Sequence, residues 1–253
     1  MTECHDRSLA HAAMGPPRSP AGTPVILGDV TSAPSQKRTP TAGWNDPDQV
    51  GWYLDRIDGL PPRIAGEDML REVLPRTPET VLDLGCGDGR LAALVLEARS
   101  TVKQVLAVDR SPAMLGRARE RFRAEPRVTV RQWDLAAPIV PLGSFDVIVS
   151  GFAIHHLESQ RKRDLFSEVA RQLRPDGLFT NLEVVASATP ELHAEFLAAI
   201  GRTADDPEDR LVDVETQAGW MREAGLEQVE CLWRWRGFAL LVGRSAAREP
   251  GLG

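Results

Sequence analysis

Val81-Leu82-Asp83-Leu84-Gly85-Cys86-Gly87-Asp88-Gly89-Arg90 decides how this chain is read. An apolar run suited to a buried strand ends in three glycines at alternate positions, and a helical pattern follows. Glycine lets the backbone turn tightly and lets a ligand approach it closely. The first peptide N–H groups of the following helix then face that ligand. The spacing predicts a strand–loop–helix unit with a nucleoside cofactor at the loop. A tight turn that holds no ligand is the competing reading of a glycine triplet taken alone.

Strands and helices alternate outward from this unit. Strands are predicted at 80–84, 104–108, 127–132, 145–150 and 178–184, and helices at 88–98, 111–122 and 159–173. Helices at 190–200 and 214–224 follow, and a hairpin turns at Arg236-Gly237 between 228–235 and 238–242. Alternation of this kind implies a parallel sheet covered on both faces. Val147-Ile148-Val149, apolar without interruption, suits a strand buried on both faces. The closing hairpin makes the last strand antiparallel.

Upstream, residues 44–75 are read as a helical lid segment. Asp46-Pro47 gives a helix start, Trp52, Leu54 and Ile57 share a face, and a second helix is predicted over 66–74. Residues 1–43, with six prolines and little apolar periodicity, are expected to be a disordered tail, and 247–253 a flexible terminus. The main domain is therefore set at 76–246.

A chain of 253 residues can bury a sizeable core. The net charge of −6 argues against a nucleic-acid partner. Cys4, Cys86 and Cys231 form neither a disulfide framework nor a zinc motif, so no metal site is expected. No apolar run spans a bilayer and no signal peptide opens the chain, which together point to a cytoplasmic protein without a membrane partner.

Arg90 occupies the position where a dinucleotide fingerprint needs its third glycine, and Asp88 puts a negative charge where a pyrophosphate would sit. Both features disfavour a nicotinamide cofactor. Asp109, at the end of the second strand, can accept both hydroxyls of a ribose. Asp134 follows the third strand, where a carboxylate can accept from an adenine amine or simply close a turn. The segment Phe145–Leu157 ends beside the first strand, at the switch point where open α/β sheets bind ligands.

Asp83-Leu84-Gly85-Cys86-Gly87-Asp88-Gly89, Asp109, Asp134, Phe145–Leu157 and the turn Leu173-Arg174-Pro175-Asp176-Gly177 into Leu178 together resemble the class I S-adenosylmethionine-dependent methyltransferases over residues 66–243. In that turn Asp176-Gly177 stands where the family often has two glycines. The resemblance implies a Rossmann-like seven-stranded mixed sheet, order 3-2-1-4-5-7-6, strand 7 antiparallel, with helices on both faces. It implies S-adenosyl-L-methionine as cofactor, with Gly85 and Gly87 near the methionine moiety, Asp109 on the ribose and Asp134 on the adenine. Asp83 would hold the loop, or the cofactor amino group through water, and Leu135 and Ser150 would offer backbone contacts. Cys86, Gly89, Arg110 and Met114 complete the expected cofactor-binding set. The region from Asp213 to Leu241 also resembles the carboxy-S-adenosylmethionine synthase group.

Methyl transfer from a sulfonium needs positioning more than protein-borne chemistry. His155 and His156 are the candidate bases for a hydroxyl or acid acceptor, and shaping the pocket is their alternative role. Glu183 would face the acceptor, a buried arginine or solvent. Trp44, Trp52 and Tyr53 would wall an acceptor site or simply pack. The arginines at 117, 119, 121 and 123 are read as a solvated surface. Residues 186–210 would cover a small-molecule acceptor. Methyl transfer is the leading expectation. A carboxy-S-adenosylmethionine synthase-like activity and a non-catalytic cofactor-binding protein are the alternatives. The sequence leaves a homodimer open.

Overall fold

The computed structural model describes Val50, Gly51, Leu54, Arg56, Ile57 and residues 59–247. The expectations for the 1–43 tail, for Asp46-Pro47, and for Trp44, Trp52 and Tyr53 lie outside these residues, as does nearly all of the expected flexible terminus.

The sheet has seven strands: β1 (Thr80–Leu84), β2 (Gln104–Asp109), β3 (Val128–Gln132), β4 (Phe145–Gly151), β5 (Leu173–Val184), β6 (Glu227–Trp235) and β7 (Phe238–Arg244). Their order is β3-β2-β1-β4-β5-β7-β6. β1 pairs in parallel with both β2 and β4, and β7 runs antiparallel to β5 and to β6. The helices are α1 (Pro61–Val73), α2 (Arg90–Ala98), α3 (Pro112–Arg121), α4 (Ser159–Gln172), α5 (Pro190–Ala199) and α6 (Val214–Glu223). No helix among the described residues is long and apolar enough to cross a membrane.

The apolar run of β4 divides between two cores as the strand period requires. Ile148 packs with Leu165, Phe166 and Val169 of α4 and Met221 of α6. Val147 and Val149 pack on the opposite face with Leu70 of α1, Leu91 and Val95 of α2, and Phe196 of α5. Both faces of the sheet are therefore covered, and ligand access is left to the carboxyl ends of the strands.

Two elements start five residues away from the sequence reading. Helix α1 starts at Pro61, five residues before the predicted Gly66. Pro61-Pro62 reads as a breaker, yet proline is tolerated in a first helical turn, where its missing N–H has no partner to lose. Gly66 lies inside α1 because a Cβ there would stand 2.7 Å from Leu182 Cδ1 and 3.0 Å from Trp233. That contact seats α1 against β5 and β6. Strand β5 begins at Leu173 and passes through Pro175-Asp176-Gly177 as an irregularity, with Asp176 at φ 62°. The expected turn is thus a bulge within the strand.

Helix starts follow their caps. Ser111 Oγ accepts from Met114 N, Asp213 from Thr216 N, and Thr189 from Leu192 N. Helix α2 has no such side chain at Gly89. Asp83 of β1 supplies the acceptor instead, with Oδ2 3.0 Å from Ala92 N. A carboxylate at this end also opposes the positive pole of the helix.

Candidate active site

The loop from β1 to α2 stands at the carboxyl edge of the sheet, with all three glycines in the left-handed region: Gly85 at φ 66°, Gly87 at 54° and Gly89 at 86°. Their reasons differ. A Cβ on Gly85 would lie 2.2 Å from Ala153 Cβ, so this glycine lets the segment after β4 close over the loop. A Cβ on Gly89 would lie 2.3 Å from the Phe122 ring, so that glycine serves packing against the end of α3. Gly87 meets nothing closer than Met114 Sδ at 3.8 Å and is held by its backbone angle.

A cavity of about 370 Å³ opens above this loop. Asp83, Gly85, Cys86, Gly87, Asp109, Arg110, Met114, Asp134, Leu135 and His156 of the expected set border it. Gly89, Ser150 and His155 do not. Ser150 is fully buried, and its hydroxyl donates to Leu84 O at 2.9 Å, tying β4 to β1.

Asp109 is held at the cavity by backbone N–H groups on both of its oxygens. Its Oδ2 accepts from Gly87 N at 2.9 Å and its Oδ1 from Ser111 N at 2.8 Å. Each oxygen keeps acceptor capacity, because a carboxylate offers about four lone-pair sites. Burial raises its pKa, and the two backbone N–H groups oppose that rise. Asp83 is fully buried, and its Oδ1 receives no hydrogen bond. Burial drives its pKa up to about 7, against the Ala92 bond and with help from Asp109 and Asp88. A buried carboxylate oxygen of this kind fits an ammonium group, whose charge and N–H would satisfy it together. Burial also raises the Cys86 thiol, which stays protonated and serves as lining.

Asp134 Oδ1 accepts from Ala136 N at 2.9 Å, so this carboxylate closes its own turn while bordering the cavity. Arg161 holds that turn from α4, donating to Leu135 O at 2.7 Å and to Ala137 O at 3.0 Å. The charge on Asp88 is taken by Arg121 through its carboxylate and backbone carbonyl. Arg121 keeps to the exposed face read for its helix while making this pair.

The histidines divide their roles. His155 Nδ1 lies 2.5 Å from Glu183 Oε1, and both side chains are buried. Burial would lower the His155 pKa, but Glu183 and then Asp209 outweigh it and raise it. His156 borders the cavity, and burial, with His155 and Arg110, lowers its pKa to about 2. Glu183 therefore faces a histidine, a partner the sequence reading did not consider.

Arg63, Arg90 and Phe152 also line the cavity without having been singled out as binding groups. Glu67 joins the two arginines: Arg63 Nε donates at 2.9 Å, and Arg90 donates through Nε and Nη2, each at 2.7 Å. The Arg63 guanidinium stands 5.3 Å from the Phe152 ring centroid. Only Arg90 carried a sequence signal, as a failed glycine position. The i,i+4 spacing of Arg63 and Glu67 suits a helical ion pair but does not point to a ligand.

Residues 81–177 match the family of the methyltransferase domain. An uncharacterised methyltransferase of Mycobacterium tuberculosis (strain ATCC 25618 / H37Rv) is 35% identical over 124 residues, covering 49% of this chain and 58% of the relative. This chain thus spans little more than half the length of that relative. The carboxy-S-adenosyl-L-methionine synthase of Yersinia pestis (strain Pestoides F) is 28% identical over 201 residues, 70% of this chain and 73% of the synthase. An O-methyltransferase family protein from Burkholderia thailandensis superimposes with a TM-score of 0.63 at 22% identity, over 80% of this chain and 60% of the other. Residues 81–177 thus carry a methyltransferase domain, and the rest of the sheet shares the fold of solved S-adenosylmethionine-dependent methyltransferases. The sheet order and the antiparallel β7 agree with that fold. S-adenosylmethionine, the cofactor of such domains, suits the cavity, where a glycine loop, the carboxylate of Asp109 and the unsatisfied buried carboxylate of Asp83 meet.

Proposed function

We propose that this methyltransferase binds S-adenosyl-L-methionine in the cavity above Gly85 and Gly87 and transfers its methyl group to a small-molecule acceptor. The observation that carries the reading is Asp83 Oδ1, buried without a hydrogen bond beside a loop whose glycine N–H is held by Asp109. Asp83 takes the cofactor ammonium, Asp109 the ribose hydroxyls, and Asp134 with Leu135 the adenine. Arg63 and Arg90 present cationic groups on the same wall for a carboxylate.

When bound, the sulfonium supplies an already activated methyl group for in-line displacement. What is left to the chain is placement of the acceptor and exclusion of water. Phe152, Ala153, His156 and Leu157 form the wall that follows β4. Above His155 lies the segment between α5 and α6, where Arg210 N donates to His155 O at 2.9 Å. A cavity of about 370 Å³ is of the size that small ligands occupy.

The Yersinia relative, which aligns with most of both chains, favours a second reading: modification of the cofactor itself to a carboxylated form. Incubating the full chain with methyl-labelled S-adenosylmethionine and a fractionated metabolite extract separates the readings. Label in a new small product, with S-adenosylhomocysteine released, is expected. A carboxylated cofactor with the methyl label retained would replace the proposal by the second reading. Cofactor bound without turnover in any fraction would make the chain a binding protein.

A further inference from the structure

Two consecutive histidines and an aspartate from a distant loop converge beside the cavity. His155 and His156 lie on the short turn Ile154–His156 that follows β4, with ring centroids 4.0 Å apart. Asp209 arrives from the segment between α5 and α6, where its Oδ2 is turned back to Asp206 N at 3.0 Å. Its other oxygen, Oδ1, stands 3.4 Å from His155 Nε2 and 3.4 Å from His156 Nδ1. The Asp209 side chain is 5% exposed, and Oδ1 accepts no hydrogen bond from either ring.

We propose that His155 Nε2, His156 Nδ1 and Asp209 Oδ1 form a binding site for a divalent transition metal with the ligand preferences of Zn²⁺. Donor atoms about 2.0–2.1 Å from a tetrahedral metal stand about 3.3 Å from each other. The two 3.4 Å separations match that edge, and all three donor atoms fall within 4.8 Å of one another. Imidazole and carboxylate donors suit Zn²⁺.

The surroundings reinforce the assignment. His155 Nδ1 is 2.5 Å from Glu183 Oε1, on the ring atom opposite the proposed metal. A carboxylate at that position fixes the proton on Nδ1, so the Nε2 lone pair points toward Asp209. Glu183 and Asp209 place two carboxylates around one lysine. Lys162, almost fully buried, spends its ammonium on the carbonyls of His155 and Arg210. Three protein donors leave a fourth position for water or a ligand oxygen, and His156 borders the cavity. The metal site stands independently of the methyl-transfer reading.

The test uses the full chain, stripped by a chelator and titrated with Zn²⁺ against a chromogenic competitor. One Zn²⁺ per chain is expected, with Asp209→Asn and His156→Gln each weakening it at least about 10-fold and Glu183→Gln weakening it about 10–100-fold. Circular dichroism of each variant checks the fold. Co²⁺ in the unaltered chain should give the visible absorption of a tetrahedral complex, a readout that needs no variant. Absence of stoichiometric Zn²⁺ binding would overturn the site. So would binding undiminished in both folded variants, which would place the ion elsewhere, for example on Cys86.

Discussion

Asp83→Asn separates what this carboxylate does for the fold from what it does for a ligand. Asparagine keeps an oxygen for Ala92 N–H and removes the charge. Burial holds the wild-type carboxyl at about 7 rather than 3.8, so the native state binds its proton more tightly than the unfolded chain does. The contribution is therefore complete at low pH and is lost as pH rises through about 7. Above that, keeping the ionised group buried costs about 4 kcal/mol. Ligand-free Asp83→Asn should consequently melt higher than wild type at pH 8, by roughly 10 °C for a domain of this size. The gain should fall by more than half at pH 5.

Ligand binding should move the other way. A lost charge-assisted bond to the cofactor ammonium is worth about 1.5–3 kcal/mol, or about 10–150-fold in affinity for S-adenosylhomocysteine. The ammonium also pulls the Asp83 pKa down. Between about pH 5 and 7, wild type should release protons on binding, measured by calorimetry in buffers of different ionisation enthalpy. Asp83→Asn should release none. Unchanged affinity in the variant, or binding without proton release in wild type, would refute the reasoning.

Gly85→Ala should destabilise the protein by about 2–5 kcal/mol, since φ is 66° and the new Cβ would meet Ala153 Cβ at 2.2 Å. Chemical denaturation measures this, and Ala153→Gly should restore part of the loss by removing the atom struck. Deleting residues 1–43 should leave the melting temperature nearly unchanged, in line with their low apolar content. A fall of many degrees would make the segment part of the fold.

The alternation of apolar runs and helical patterns, with turn and cap residues between them, makes the succession of strands and helices legible, while the strand order came from the resemblance to the methyltransferases. Ser111-Pro112 announces α3, and the hairpin at Arg236-Gly237 announces the reversed β7. Asp83, Asp109 and Asp134 were equally legible, because each lies at the carboxyl end of a strand, the edge where open α/β sheets bind ligands. What escaped depends on contacts between segments far apart in sequence. Gly89 looks like a ligand glycine until Phe122 is seen against it. Pro61-Pro62 hides the start of α1, because the same residues stop a helix or open one according to position. Asp209 reaches His155 across 54 positions of chain, and no local period marks that approach. Arg63 and Arg90 join through Glu67 because α1 packs beside α2 in the folded chain.

The proposal stands or falls on the cavity at Gly85, Gly87 and Asp109 taking S-adenosylmethionine. Calorimetric titration of the full chain with S-adenosylhomocysteine tests it most directly. One molecule bound per chain is expected, with no heat from NADH and a loss of at least about 10-fold in affinity in Asp109→Ala, which removes the proposed ribose acceptor. Silence toward S-adenosylhomocysteine with clear binding of NADH would contradict it.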